Sequence, residues 1–158
     1  MDLRTPYAVV TAVEQPRPAT KRELVGISRR LEAAAMAHPP PLVAASLQDC
    51  RFLTARTREV YRRLAAKGAS VTLLARGLHG WLDDGVRGVE LSDDDPLVDE
   101  WVVVVPAPDR PAVLVATDLR SPSLDELDRE FLHAVSHDPE VVDACAALLA
   151  RPAVSRHR

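Results

Sequence analysis

Asparagine does not occur in this chain, isoleucine occurs once (Ile27) and lysine twice (Lys21 and Lys67). Arginine supplies the other cations, a bias that a GC-rich genome imposes through its codons, so the arginine excess does not by itself indicate phosphate binding. Aromatic residues make up only 4% of the 158 residues, which leaves valine, leucine and alanine to fill a core. No apolar run approaches the roughly 20 residues that span a bilayer. Met1-Asp2-Leu3-Arg4 lacks the basic-then-apolar form of a signal peptide. Cys50 and Cys145 are far apart and form no CxxC, which fits two reduced thiols in a cytoplasmic protein. A formal net charge of −3 argues against a general binder of nucleic acid or anionic membrane. No GxGxxG, Walker loop, GxSxG or HExxH occurs.

What is present fits one domain, because 158 residues at 47% apolar can bury a single core. The organising stretch is Trp101-Val102-Val103-Val104-Val105, opened by one of two tryptophans and closed by Pro106. Apolar residues at successive positions predict a strand covered on both faces, near the centre of a sheet. A second apolar run at 112–119 follows a connection too short for a helical crossover, so the two strands are expected to pair antiparallel.

Upstream, Thr20 and Glu23 have the spacing of a capping box. Leu24, Ile27, Leu31 and Ala34/Ala35 recur at helical spacing, with Arg22, Arg29, Arg30 and Glu32 expected to face water, and Pro39-Pro40-Pro41 ends the helix. A strand at 42–48, a helix N-capped by Thr54 and closed by Gly68, and a strand at 69–75 read as a βαβ unit with parallel strands. The middle helix would turn Thr57, Val60, Tyr61, Leu64 and Ala65 inward. Residues 76–85 read as a loop and 86–91 as a short strand. Ser123 and Glu126 repeat the capping-box spacing ahead of Leu124, Leu127, Phe131 and Ala134/Val135, which predicts a further helix. Asp138-Pro139-Glu140 starts a last one over 141–150. The expected fold class is α/β: a single domain over 20–150 with a central mixed sheet of about five strands, helices mainly on one face, and a helical C-terminus. Residues 1–19 form a lead-in whose run at 7–13 suits an edge strand. Residues 151–158 read as a disordered basic tail.

Open α/β sheets bind ligands beyond the carboxyl ends of their parallel strands. Gln48 and Cys50 follow the first of those strands, and Arg76, His79 and Trp81 follow the second. These five are the candidate lining of a ligand pocket; the plainer alternative is that Trp81 caps the core and His79 is merely exposed. Glu100, at the mouth of the central strand, is a sixth candidate, either bonding a ligand or pinning backbone amides. Cys50 and His79 would act as nucleophile and base only with hydrogen-bond reach and an oxyanion site. No surrounding motif supplies these, so no catalytic residue is assigned. The acidic stretch 83–100 lacks the spacing of a calcium loop, and the scattered His and Cys residues lack that of a zinc site. The arginine-rich helix 56–67 has Glu59 spaced to pair with Arg62 or Arg63 and suits a docked protein better than nucleic acid.

Several of these segments together resemble a known family. Lys21, Leu24, Ser28-Arg29 and Leu31-Glu32, then Ser46-Leu47-Gln48, then Tyr61, Leu64-Ala65 and Val71 are similar to the DICT domain. So are Val89 and Leu91, Asp95-Pro96-Leu97 through Glu100-Trp101-Val102-Val103-Val104, and Arg129-Glu130-Phe131. The resemblance runs from about Lys21 to about Leu149, and the segment from Asp95 to Val104 is its most specific part. It implies a bacterial sensory α/β module, commonly attached to signalling outputs, with light or redox among the inputs. The module is expected to stand alone, and the resemblance then implies a separate partner such as a kinase, cyclase or transcription factor, with a homodimer also open. The leading expectation is a non-enzymatic sensor of a small ligand or signalling partner. A ligand-free interaction scaffold comes next, and a small enzyme using Cys50 and His79 third.

Overall fold

The computed structural model describes residues 5–122 and 125–150. It contains α1 (Pro6–Thr11), α2 (Lys21–Ala37), α3 (Ala55–Ala66) and α4 (Pro139–Leu149). The strands are β1 (Arg17–Thr20), β2 (Leu42–Asp49), β3 (Ser70–Arg76), β4 (Gly80–Asp83), β5 (Val86–Glu90), β6 (Glu100–Val105), β7 (Ala112–Asp118) and β8 (Glu130–Ser136). All eight form one mixed sheet in the order β1-β8-β7-β6-β2-β3-β5-β4, wider than the five or so strands expected.

The local signals that did form explain the sheet's centre. The Thr20 hydroxyl accepts the Glu23 amide at 3.3 Å while the Glu23 carboxylate accepts the Thr20 amide at 2.9 Å, so α2 starts at its capping box. Thr54 caps α3, and Gly68, at φ 107°, takes the left-handed turn that follows it. The β2–α3–β3 unit pairs its strands in parallel, and β6 pairs antiparallel with both β2 and β7. Val102, Val103 and Val104 are completely buried, as a central strand requires. Asp138 caps α4 by accepting the Glu140 amide at 2.9 Å.

Three expectations are corrected. Residues 7–13 do not form an edge strand: Pro6–Thr11 is helical, because the Thr5 hydroxyl accepts the Ala8 amide and Pro6 fits the first helical turn. Burial of Val10 against the α4 side outweighs the β-preference of the valines. The helix expected across Leu127, Phe131 and Val135 is instead a short turn at Glu126–Asp128 followed by β8. The free edge of β7 needs backbone partners, and 130–136 satisfies it while pairing with β1 on its other side. The proposed cap at Ser123 lies outside the described residues, as does the tail 151–158. The 76–85 loop contains β4, joined to β5 by the two-residue Asp84-Gly85 turn with Gly85 at φ 78°.

Alternation along the strands produces two cores, so the helices do not lie mainly on one face. Val43, Ala45, Leu73, Val103, Leu114 and Phe131 pack with Leu24, Tyr61 and Leu64 of α2 and α3. Ala44, Leu74, Val102, Val104, Val113 and Val115 pack with Val10 of α1 and Val142, Cys145 and Leu149 of α4. Pro18 is accommodated because β1 is an edge strand, where a missing N–H leaves no partner short. Among the described residues no helix is long and apolar enough to cross a membrane.

Candidate functional site

A cavity of about 330 Å³ opens between α2, α3 and the sheet. Leu47 and Gln48 of β2 and Trp101 of β6 line its sheet side. Val25, Ser28, Arg29 and Glu32 come from α2, and Arg56, Thr57, Val60 and Tyr61 from α3. Lys21, Phe52, Glu126 and Leu127 line it as well.

Its most unusual member is Glu32. The buried residues of α2 are Leu24, Ser28, Glu32 and Ala35, so a carboxylate occupies the helix's inward stripe instead of facing water as expected. The Tyr61 hydroxyl donates to Glu32 Oε2 at 2.9 Å and the Ser28 hydroxyl donates to the same oxygen at 3.1 Å. Burial pushes the Glu32 pKa up from the ordinary 4.5, while the hydrogen bonds from Tyr61 and Ser28 and the charges of Arg56 and Arg29 pull against it. The Tyr61 hydroxyl, completely buried beside that carboxylate, has its own pKa pushed well above 10 and stays a donor. The sequence carried a signal for this: Ser28 and Glu32 continue the i, i+4 series from Leu24 and lead to Ala35.

Gln48 is held in a strained backbone at φ 72°, uncommon for a residue with a Cβ. The pairing of β2 with β3 slips between Ser46 and Asp49, and the extra residue makes a bulge there. The bulge aims the Gln48 amide at two acceptors, the Val98 carbonyl and Asp118 Oδ2, each at 3.3 Å. Asp118 is in turn ion-paired to Arg129. Arg129 also reaches Glu126 at 2.5 Å, and Lys21 reaches the same carboxylate at 2.6 Å. Lys21 Nζ sits 4.0 Å from the centre of the Phe52 ring, a cation–π contact that fixes the ring at the cavity wall. Trp101 packs edge-on to Phe131 with ring centres 6.2 Å apart.

Of the six residues singled out from sequence, Gln48 alone lines this cavity. Cys50 is exposed at the start of the Cys50–Phe52 turn, with Gly77 against its sulfur. Arg76 reaches Asp49 at 3.5 Å and Asp93 at 3.8 Å. The His79 ring lies 3.8 Å from Glu90. Trp81 is 73% exposed on the edge strand β4 and so does not cap the core. Glu100 is buried on the opposite face of the sheet, where its carboxylate accepts the Tyr7 amide at 3.1 Å and holds the start of α1. Burial raises the Glu100 pKa, hydrogen bonds from Thr5 and Tyr7 lower it, and the charges of Asp95 and Asp99 raise it, for a net rise. Sequence reasoning missed Glu32, Tyr61 and Trp101 as lining residues because each reads as an ordinary surface or core position on its own element. Among the described residues no group of three or more His, Cys, Asp or Glu is placed to hold a metal ion.

No curated protein matches the chain. A family described as a sensory domain in diguanylate cyclases and two-component systems matches residues 7–119. That span starts within α1, contains the βαβ unit and the cavity's α2, α3, β2 and β6 walls, and ends just after β7. The chain therefore belongs to the DICT family of sensory domains.

Proposed function

We propose that this chain is the sensory component of a signalling system, taking a small ligand into the cavity between α2, α3 and the sheet and relaying its presence to a separate output protein. The observation that carries this reading is a cavity of about 330 Å³ with a buried, hydrogen-bonded carboxylate in an otherwise largely apolar wall. That volume lies at the lower end of the range for small-molecule sites, about 300–1,000 Å³. A buried carboxylate costs stability unless it is fully satisfied, which is the kind of local expense that function explains.

A relay needs an element with two arrangements that the ligand prefers unequally. Gln48 touches the cavity and the Val98 carbonyl in the Pro96–Asp99 turn. The next residue after that turn, Glu100, holds α1 through the Tyr7 amide on the far face. This contiguous route gives α1, packed beside α4, as the moving element. The output partner is a kinase, cyclase or transcription factor acting in the cytoplasm.

Native mass spectrometry of the purified protein tests the reading, with Val60→Trp as the control that fills the cavity. The expected result is a small bound mass on the wild type that is absent from a folded Val60→Trp. A bound mass unaffected by Val60→Trp, or no bound mass at all, sinks it.

A further inference from the structure

We infer that the cavity takes a compact aromatic acid, with its anionic group at the rim beside Arg29 and Arg56 and a hydrogen-bond donor at its inner end facing Glu32. The inference rests on the proposed ligand-binding role of the cavity and names the chemistry of the occupant.

The lining determines the body of the molecule. Trp101, Phe52 and Tyr61 all border the cavity, half of the aromatic side chains in a chain with only two each of Trp, Tyr and Phe. Val25, Leu47 and Val60 complete the apolar surface. Planar rings pack well against such a wall through offset and edge-on contacts.

Charge determines the outer end. Lys21, Arg29 and Arg56 border the cavity as cations, against Glu32 and Glu126. Glu126 is already shared by Lys21 and Arg129. Arg29 and Arg56 are exposed and make no ion pair with another described residue; their charges act on the buried Glu32, pulling its pKa down against burial. Two guanidinium groups in this position repel a cationic ligand and match a carboxylate or phosphate through paired N–H donors.

Hydrogen-bond arithmetic determines the inner end. Tyr61 and Ser28 both donate to Glu32 Oε2. No described side chain or backbone group donates to Oε1, so that oxygen of the ionised carboxylate is an acceptor for a hydroxyl or N–H on the ligand.

Three probes separate these features: 3-(4-hydroxyphenyl)propionate, its deoxy analogue 3-phenylpropionate, and the neutral 3-(4-hydroxyphenyl)propionamide. Calorimetry on the whole chain, at a pH high enough that Glu32 is ionised, should rank the hydroxylated acid first, with the deoxy acid and the amide each at least about tenfold weaker, one charge-assisted hydrogen bond apiece. The double variant R29Q/R56Q should cut affinity for the hydroxylated acid by at least about tenfold and leave the amide unchanged. Equal affinity for acid and amide, or an acid affinity untouched by R29Q/R56Q, overturns the aromatic-acid assignment while leaving the cavity's ligand-binding role standing. Failure of all three probes to bind also overturns the assignment, and the role of the cavity is then judged separately by whether the bound mass survives Val60→Trp.

Discussion

Removing the Tyr61 hydroxyl probes the buried carboxylate at the heart of the cavity. Tyr61→Phe keeps the ring, which is completely buried, so the loss is confined to one 2.9 Å hydrogen bond to Glu32. That bond contributes about 1.5–3 kcal/mol to an ionised acceptor but only about 0.5–1.5 kcal/mol to a neutral one. Burial holds the folded Glu32 pKa above the ordinary 4.5. Between those two values the folded state keeps a proton that the unfolded chain has lost, so this group makes stability fall as pH rises through the window. Below the window both states are protonated, and above it both are ionised with the loss complete. Tyr61→Phe should therefore cost the smaller amount below the window and the larger amount above it. Glu32→Gln removes the titration, and in that background Tyr61→Phe should cost about 0.5–1.5 kcal/mol at every pH. Urea unfolding across the window, at unchanged m-value, measures all four corners of the cycle. In a chain of this size each kcal/mol also moves Tm by about 2–4 °C. An identical, pH-independent cost of Tyr61→Phe in both backgrounds would refute the reasoning.

Further outcomes follow from other contacts. Glu100→Ala leaves the Tyr7 amide without its acceptor, at a cost of about 1–3 kcal/mol; hydrogen exchange should quicken in α1 but not in β6, and uniform protection would show that α1 is held otherwise. Trp101→Ala should cost about 3 kcal/mol, the low end for a core aromatic, because the ring is only half-buried against Phe131; unfolding midpoints check it. Native thiol labelling should modify Cys50 and spare Cys145, which is fully buried with its thiol pKa pushed up to about 12 by desolvation and then by Glu100; equal labelling rates would contradict the packing of α4. Gly77→Ala places a Cβ 2.7 Å from the Cys50 sulfur at φ 85° and should destabilise by more than about 1 kcal/mol; Cys50→Ala should recover only the contact part, leaving the backbone part.

Short-range chemistry was readable along much of the chain. The Thr20–Glu23 box, the Thr54 cap and Gly68, the Asp138-Pro139 start and the run Trp101–Val105 each specify their element through neighbours a few residues away, and each formed. The short 106–111 connection and the βαβ spacing fixed strand direction for the same reason. The resemblance to a sensory family was legible too, carried by side chains from Asp95 to Val104. Asp84-Gly85 was a readable hairpin signal for β4 that a loop reading passed over.

Tertiary structure decided the rest, because the competing options were locally close. Phe131 and Val135 satisfy a helical stripe, yet β8 forms because the edge of β7 and the strand β1 both need backbone partners that only the assembled sheet presents. The valines at 9 and 10 favour extended backbone, yet α1 forms where a buried carboxylate more than ninety positions away accepts its first amide. Glu32 reads as solvent-facing until α3 brings the Tyr61 hydroxyl to it across the helix pair. The cavity likewise joins residues from α2, α3, β2 and β6. Periodicity assigns each residue a face on its own element; which faces meet, and whether a carboxylate between them finds donors, depends on contacts the linear order does not contain.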